Sequence, residues 1–383
     1  MIKKDIMLVA GYPYLTESTF QSLQNILGDR VYIYDPYDYN LSRDFKDYTY
    51  PSSFNRSIVN CSFNPFWKRY RNTPWLVSIF IHGKKWTKSV INDVHRLNPK
   101  TIILITDIFP SSRTIENSFH EEKNILLIQP CLIDAWERED KYKFKRALLN
   151  FILKLNFFHT QQYWGLESSK NKLCLYDHEL SAFFKSRRGN IEFIESPMKK
   201  YYANTTLQNR VYKDAGKKLK VGIFPVDYSS VHGTEYQKVL EKKYHDLCNS
   251  LSNEDIFVKV HPHEEIEYWK QRLPKGIKII KDAEKNTLYS KIDVHISTYS
   301  YSSIEAFYCG AYAINFEPNK IAKQGNLEDI FINNSSLYSE DFSHILEGIS
   351  TYKVKNKEEK MLFIKSGLEN KNYMTFKSIK ELV

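Results

Sequence analysis

The chain has 383 residues, a length that suits two α/β domains better than one core, and its 42% hydrophobic content excludes a disordered chain. Five widely spaced cysteines with no C-x-x-C pair exclude a disulfide framework and a structural zinc site, and fit a reducing cytosol. A net charge of +10 and 15% aromatic residues point either to an anionic partner (nucleotide, acidic glycan, anionic membrane or nucleic acid) or to a Lys-rich solvated surface.

The opening apolar run meets Gly11 and Pro13 too soon for a signal peptide and reads as a first strand, DIMLVAG. TESTFQSLQNIL follows as a helix with Thr16 or Ser18 as its cap, then RVYIYDP as a strand. WLVSIFIHG reads as another strand leading into the helix TKSVINDVHRLN, and KTIILITDIFP and NILLIQP as two more strands. KYKFKRALLNFILKLNFF is a long amphipathic helix. Its apolar part is too short to span a bilayer and is interrupted by Lys154. NKLCLYDHE and NIEFIES add two further strand-like runs. Continuous apolar runs joined by helical patterns predict a parallel sheet covered on both faces.

Residues 198–220 are basic and polar and read as a linker. A fresh α/β pattern then begins. KVGIFPVD, DIFVKVHP, IKIIKD, DVHIST and AYAINF are its strands, YQKVLEKKYHDLCNSL is a helix, and the tail from Lys353 is helical in character. The expected class is α/β with two Rossmann-like domains facing across a cleft: residues 1–205, which would bind an acceptor, and 206–355, which would bind a nucleotide. A helical segment, 356–383, would pack back on the first.

Two elements of the second half carry chemistry. The first is a strand that ends in Lys259-Val260-His261-Pro262-His263-Glu264. About 35 residues later a strand runs into Thr298-Tyr299-Ser300-Tyr301-Ser302-Ser303-Ile304-Glu305 and a helix closed by Gly310. Hydroxyls and free N–H groups at the positive end of a helix suit a phosphate, and His261 facing the same crevice would offset charge on a departing nucleotide. Pro262 would stiffen the turn, and Lys259 and His263 would add positive field. Ser302 and Glu305 also satisfy the capping-box pattern, so the same residues serve simply to start a helix. Ser300 and Thr298 are further phosphate candidates, and Glu305 is a candidate for a ribose hydroxyl.

A base for the acceptor hydroxyl is expected from the first half. Asp177 leads, followed by Asp107 and then His82. Each carboxylate has an ordinary reading as a cap at a strand end. Walker, dinucleotide-fingerprint, G-x-S-x-G, H-E-x-x-H and D-x-D patterns are absent, so no cofactor or metal is expected.

VKVHPHE together with STYSYSSIEA resembles the HP and SS motifs of bacterial sialyltransferases and polysialyltransferases of the GT-B fold. Related elements occur in capsule Kdo transferases and in CDP-glycerol glycerophosphotransferases. The resemblance covers mainly Lys259 to Phe316. Tyr176-Asp177 also match the turn that bears the base in sialyltransferases, although His178 and Glu179 replace its acid and glycine.

The resemblance implies an inverting, metal-independent glycosyltransferase of bacterial surface-polysaccharide synthesis. It would use a CMP-linked donor, such as CMP-sialic acid, and a glycan or glycolipid acceptor. His261 would serve the phosphate, and Ser302 and Ser303 would bind it. A CDP-polyol phosphotransferase and a UDP-sugar enzyme are the alternatives. The expected location is the cytoplasm. Basic segments 199–220 and 353–360 suggest peripheral contact with anionic lipid at the inner face of the membrane, and the chain has no nucleic-acid recognition motif.

Overall fold

The computed structural model describes residues 4–36, 50–63, 75–106, 109–129, 171–176, 184, 190–225, 234–261, 264–281, 285–298, 300–317, 327–369 and 377–383. Asp107, Asp177, His178, Glu179, Pro262, His263 and the 141–158 segment lie outside them. The chain divides into two compact units, Met1–Met198 with Phe376–Val383, and Lys199–Thr375.

Among its described residues the first unit holds seven strands: β1 (Ile6–Val9), β2 (Val31–Asp35), β3 (Ile58–Asn60), β4 (Thr101–Leu104), β5 (Asn124–Ile128), β6 (Lys172–Leu175) and β7 (Ile191–Phe193). They form one sheet in the order β3-β2-β1-β4-β5-β6-β7, with every pairing parallel. Ile6, Leu8, Ile33, Ile103 and Leu126 share a buried cluster with Phe20 and Leu23 of the Pro13–Leu27 helix. That helix begins earlier than its predicted caps. Pro13, whose fixed φ suits a first turn, opens it. Thr16 instead accepts the Gly11 N–H (3.0 Å) and donates to the Tyr12 carbonyl (3.0 Å) from inside the helix.

WLVSIFIHG is not a strand; it is the start of the Trp75–Leu97 helix. The buried positions Gly83, Trp86, Val90 and Val94 recur at three- and four-residue steps, which only a helix places on one face. The third strand of the sheet is instead β3, a short edge strand.

The second unit holds β8 (Lys220–Phe224), β9 (Asp255–Lys259), β10 (Lys278–Ile280), β11 (Val294–Ser297), β12 (Tyr312–Phe316) and β13 (Leu337–Ser339). Their order is β10-β9-β8-β11-β12-β13, again parallel throughout. Val221, Ile223, Val258, Val294, Ile296 and Ile314 bury one face against Leu240, Tyr244 and Leu247 of the Thr234–Ser250 helix and Ile345 and Ile349 of the Phe342–Val354 helix.

The predicted linker at 198–220 is, from Lys199 on, an ordered part of the second unit. It forms the Pro197–Thr205 helix and the Leu207–Asn209 turn. Arg210 then binds it down, donating to the carbonyls of Tyr289 (2.8 Å), Cys309 (3.1 Å) and Ile292. Gly310 sits beneath this clamp at φ +83°, where an added Cβ would stand 2.7 Å from both Arg210 Cδ and Leu207 Cδ1. Gly310→Ala is therefore expected to cost about 2–3 kcal/mol, through positive-φ strain and overpacking together. Urea unfolding of the variant measures this, and an unchanged midpoint would refute it.

The two units meet in sequence at 198/199 rather than at 205/206, and the tail is divided. The Lys357–Glu369 helix belongs to the second unit. Only the last eight residues return to the first. There Lys377 bridges Ile194 beside β7, Ile379 is buried, and the Leu382 carbonyl accepts from the Asn124 amide (2.6 Å). Among the described residues, no helix is long and apolar enough to cross a membrane.

Candidate functional site

In both sheets the strand order reverses direction beside the first strand, between β1 and β4 and between β8 and β11. Ligands of open parallel sheets bind beyond the carboxyl ends of the strands at such switch points. In the second unit the residues leaving that edge are those following β8, β9, β11 and β12.

Register fixes their placement. Ser297 pairs with Phe224 and with Asn315, and Ile223 pairs with Val258, so Lys259, Phe224, Ser297 and Asn315 form one row on one face. His261 lies two residues beyond Lys259 and is exposed. The hydroxyl-rich turn begins directly after Ser297. Since β8 alone separates β9 from β11, their axes lie about 10 Å apart at two strand spacings.

The Tyr301–Tyr308 helix starts two residues earlier than the predicted capping box would place it. Ser300 is its N-cap, in extended conformation (φ −127°, ψ 135°), and its Oγ accepts the Ser302 N–H (3.3 Å). The Ser300 and Ser302 hydroxyls are 2.9 Å apart and both residues are half-buried. They stand at the positive end of the helix dipole with the N–H groups of its first turn.

Ser303 is turned inward. It is fully buried, donates through Oγ to the Ser300 carbonyl (2.9 Å) and accepts from Asn315 Nδ2 (3.0 Å). Its hydroxyl is thus committed to the interior, which corrects its expected role on a phosphate. Thr298 is likewise buried, with its hydroxyl 2.6 Å from that of Tyr244.

Glu305 does not close a capping box, and it is turned inward. Its carboxylate is buried and accepts from Tyr202 (3.3 Å) and Tyr289 (2.8 Å). Burial, and then the charge of Glu305, raise the pKa of both phenols well above the ordinary tyrosine value, so they stay protonated as donors. The carboxylate ties the Pro197–Thr205 and Lys285–Lys291 helices to the hydroxyl-bearing helix.

Around β9, the Lys259 ammonium donates to the Val260 carbonyl (3.1 Å), and the Val260 N–H is held by the Ile280 carbonyl (3.0 Å). The His261 carbonyl accepts the Glu264 N–H (3.0 Å), which fixes the turn that carries the imidazole.

Beneath this edge lies a polar strip that the sequence did not advertise. His295 is fully buried on β11, with its ring 4.2 Å from that of Phe224. Burial pulls its pKa down to about 3. Neither of its ring nitrogens, nor Ser297 Oγ or Asn315 Oδ1, has a hydrogen-bond partner among the described residues.

In the first unit, β6 is followed by Tyr176, which is buried and whose N–H donates to the Gln129 side chain (2.9 Å). The candidate bases Asp177 and Asp107 follow β6 and β4 but fall outside the described residues. His82 sits on the Trp75–Leu97 helix beside Phe63, not at a strand end. Among the described residues, no group of three His, Cys, Asp or Glu side chains could hold a metal ion.

No family model matches the sequence, and no curated protein matches it. Its backbone does resemble solved structures. A Listeria monocytogenes protein assigned as a UDP-N-acetylglucosamine 2-epimerase shares 10% identity, with 97% of this chain and 96% of that one covered and a TM-score of 0.52. The UDP-GlcNAc 2-epimerase of Neisseria meningitidis bound to UDP-GlcNAc shares 8% identity over 95% of this chain and 99% of that one, with a TM-score of 0.50. A spinosyn rhamnosyltransferase complexed with thymidine diphosphate aligns over 97% of this chain and 96% of that one at 9% identity, with a TM-score of 0.47. Two Rossmann-like parallel sheets in these strand orders, together with this likeness, give the chain the GT-B fold.

Proposed function

We propose that the protein is an inverting, metal-independent glycosyltransferase of bacterial surface-polysaccharide synthesis. It would transfer sialic acid or a related nonulosonic acid from a CMP-linked donor to a hydroxyl of a glycan or glycolipid. The observation that carries this reading is the common edge of the second sheet. There the Ser300–Ser302 hydroxyl pair opens a helix after β11, and exposed His261 follows β9 two strands away.

In this reading the helix start and the two hydroxyls hold the phosphate of the donor. A base removes the proton of the acceptor hydroxyl, and Asp177 is the leading candidate. The freed oxygen attacks the anomeric carbon, and the bond from that carbon to the phosphate oxygen breaks. His261 donates to the oxygens that gain charge, with Lys259 adding positive field. Glu305 and Ser303 act behind the site by fixing the helix that presents Ser300 and Ser302.

Assay of a panel of CMP-, CDP- and UDP-sugars with a glycan acceptor tests the reading; absence of both turnover and binding for every nucleotide would sink it. Transfer from a CDP-polyol with added phosphate mass in the product would replace it with phosphotransfer. Isomerisation of a UDP-sugar without acceptor would replace it with epimerase chemistry, which the names of two fold neighbours carry.

Ser302→Asp is expected to weaken nucleotide binding about 10- to 100-fold, because a carboxylate then faces the phosphate. The same change should leave the thermal midpoint within a few degrees, because an acidic residue suits the first turn of a helix. Calorimetric titration and a melt on one sample read both effects.

A further inference from the structure

Two segments some 140 residues apart in sequence meet on one face of the second unit. The Lys360 ammonium is buried and donates to the carbonyls of Lys213 (2.9 Å) and Asp214 (3.4 Å). The Gly216 N–H donates to the Lys353 carbonyl (3.0 Å), and Lys357 pairs with Asp214 (3.2 Å). This face lies at the amino-terminal edge of the sheet. Lys213 pairs there with Asp293, just before β11, and Lys353 pairs with Glu254, just before β9. It is therefore remote from the carboxyl edge that carries Ser300, Ser302 and His261.

The composition of the face is unusual for this unit. Residues 211–218 hold three lysines and one acid, and residues 353–365 hold five lysines and two acids. The rest of the unit is net negative, with 18 Lys/Arg against 20 Asp/Glu. Most acids of the face are already engaged. Asp214 is ion-paired, as are the neighbouring Glu254 and Asp293, and Glu359 accepts the Asn356 N–H (2.7 Å), which leaves exposed Glu358 as the remaining acid of the two segments. Lys217, Lys218 and Lys365 are exposed and make no ion pair among the described residues. Apolar side chains stand among them: Val211 is 83% exposed, Val354 69% and Leu362 61%, with Phe363 beneath the Lys355 ammonium.

We propose that this face, residues 211–218 with 353–365, docks on an anionic lipid bilayer. The lysines without an ion pair meet the headgroup charge. The exposed Val211, Val354 and Leu362 enter the headgroup boundary, where their burial adds to the attraction. The occupant is a bilayer because the charge is complementary to it and the apolar groups are scattered among lysines rather than gathered in one groove. The reading is independent of the reaction assigned to the carboxyl edge.

The test is co-sedimentation of the full chain with vesicles of phosphatidylcholine alone or with a quarter phosphatidylserine. The protein is expected to bind the serine-containing vesicles at least tenfold better and to be released by moderate salt. Lys217→Glu with Lys218→Glu, and separately Val354→Asp with Leu362→Asp, should each lower partition tenfold or more. Reversal of the exposed pair Lys275 and Lys278 should leave it unchanged. All substituted positions are exposed, and a circular-dichroism melt verifies that the variants fold. Absence of vesicle binding, equal binding to neutral vesicles, or an equal loss on reversing Lys275 and Lys278 would overturn the proposal. A lipid-free dimer that Val354→Asp with Leu362→Asp abolishes would overturn it in favour of a protein interface.

Discussion

His261→Ala is expected to lower the transfer rate by about 10²–10³-fold and to leave stability within about 0.5 kcal/mol. The two halves of that expectation have different sources. The imidazole is exposed at the carboxyl edge, and its turn is fixed by backbone contacts, the His261 carbonyl to the Glu264 N–H and the Val260 N–H to the Ile280 carbonyl. Those two backbone contacts do not depend on the ring. The rate loss follows from the role, since a donor aimed at the oxygens that gain charge acts most strongly in the transition state. His261→Gln refines the result. It keeps an N–H donor but cannot pass a proton, so recovery of most of the rate marks electrostatic stabilisation and failure to recover marks proton transfer. An alanine variant with unchanged turnover would remove His261 from the chemistry.

The second large effect concerns stability. Acid is expected to destabilise the protein by up to about 1.4 kcal/mol per pH unit below pH 6.5, and by up to about 5 kcal/mol in all as the pH approaches 3, through His295 alone. The sign follows from proton counting. In the unfolded chain the imidazole takes a proton near pH 6.5. In the folded protein burial depresses that pKa to about 3, so between these values the unfolded state binds more protons and is favoured as pH falls.

The surroundings support neutrality of the folded imidazole. The His295 ring packs against those of Phe224 (4.2 Å) and Tyr289 (6.1 Å), and the Tyr289 hydroxyl is spent on Glu305. Urea unfolding from pH 7.5 to 4.5 should show a stability difference between His295→Leu and the unsubstituted protein that grows in the variant's favour as pH falls. Parallel curves would refute the assignment.

Much of the fold was legible because both sheets are parallel and buried on both faces. Ile6–Val9, Val31–Asp35, Thr101–Leu104 and Tyr312–Phe316 are all fully buried strands, and such strands read as unbroken apolar runs. The same rule misled at WLVSIFIHG, because an apolar run at a helix start looks like a strand when only its first seven residues are weighed. β3 and β13 escaped notice because each holds only two apolar residues in a row, whereas β7 and β10, edge strands of the same length, sit in the longer runs IEFI and IKII. The 198–220 stretch read as a linker because its anchors are Arg210 and buried Tyr202, which bond to distant backbone and to Glu305 rather than to local neighbours.

Within the site, sequence located the edge but not the facing of each side chain. A two-residue shift of the N-cap, from Ser302 to Ser300, decides which serine looks outward. Ser302 becomes the second helical residue and stays half-exposed, while Ser303 becomes the third and turns onto Asn315. A capping-box pattern is satisfied by sequence alone. The structure places Glu305 one turn deeper, where two tyrosines claim it.

The most direct test of the central claim is a crystal structure of the protein with cytidine 5′-monophosphate. The phosphate is expected within hydrogen-bonding distance, about 2.7–3.2 Å, of Ser302 Oγ and the first-turn N–H groups of the Tyr301–Tyr308 helix, with the His261 imidazole turned toward it. A nucleotide bound with its phosphate away from that helix start, touching neither the serine pair nor His261, would contradict the account.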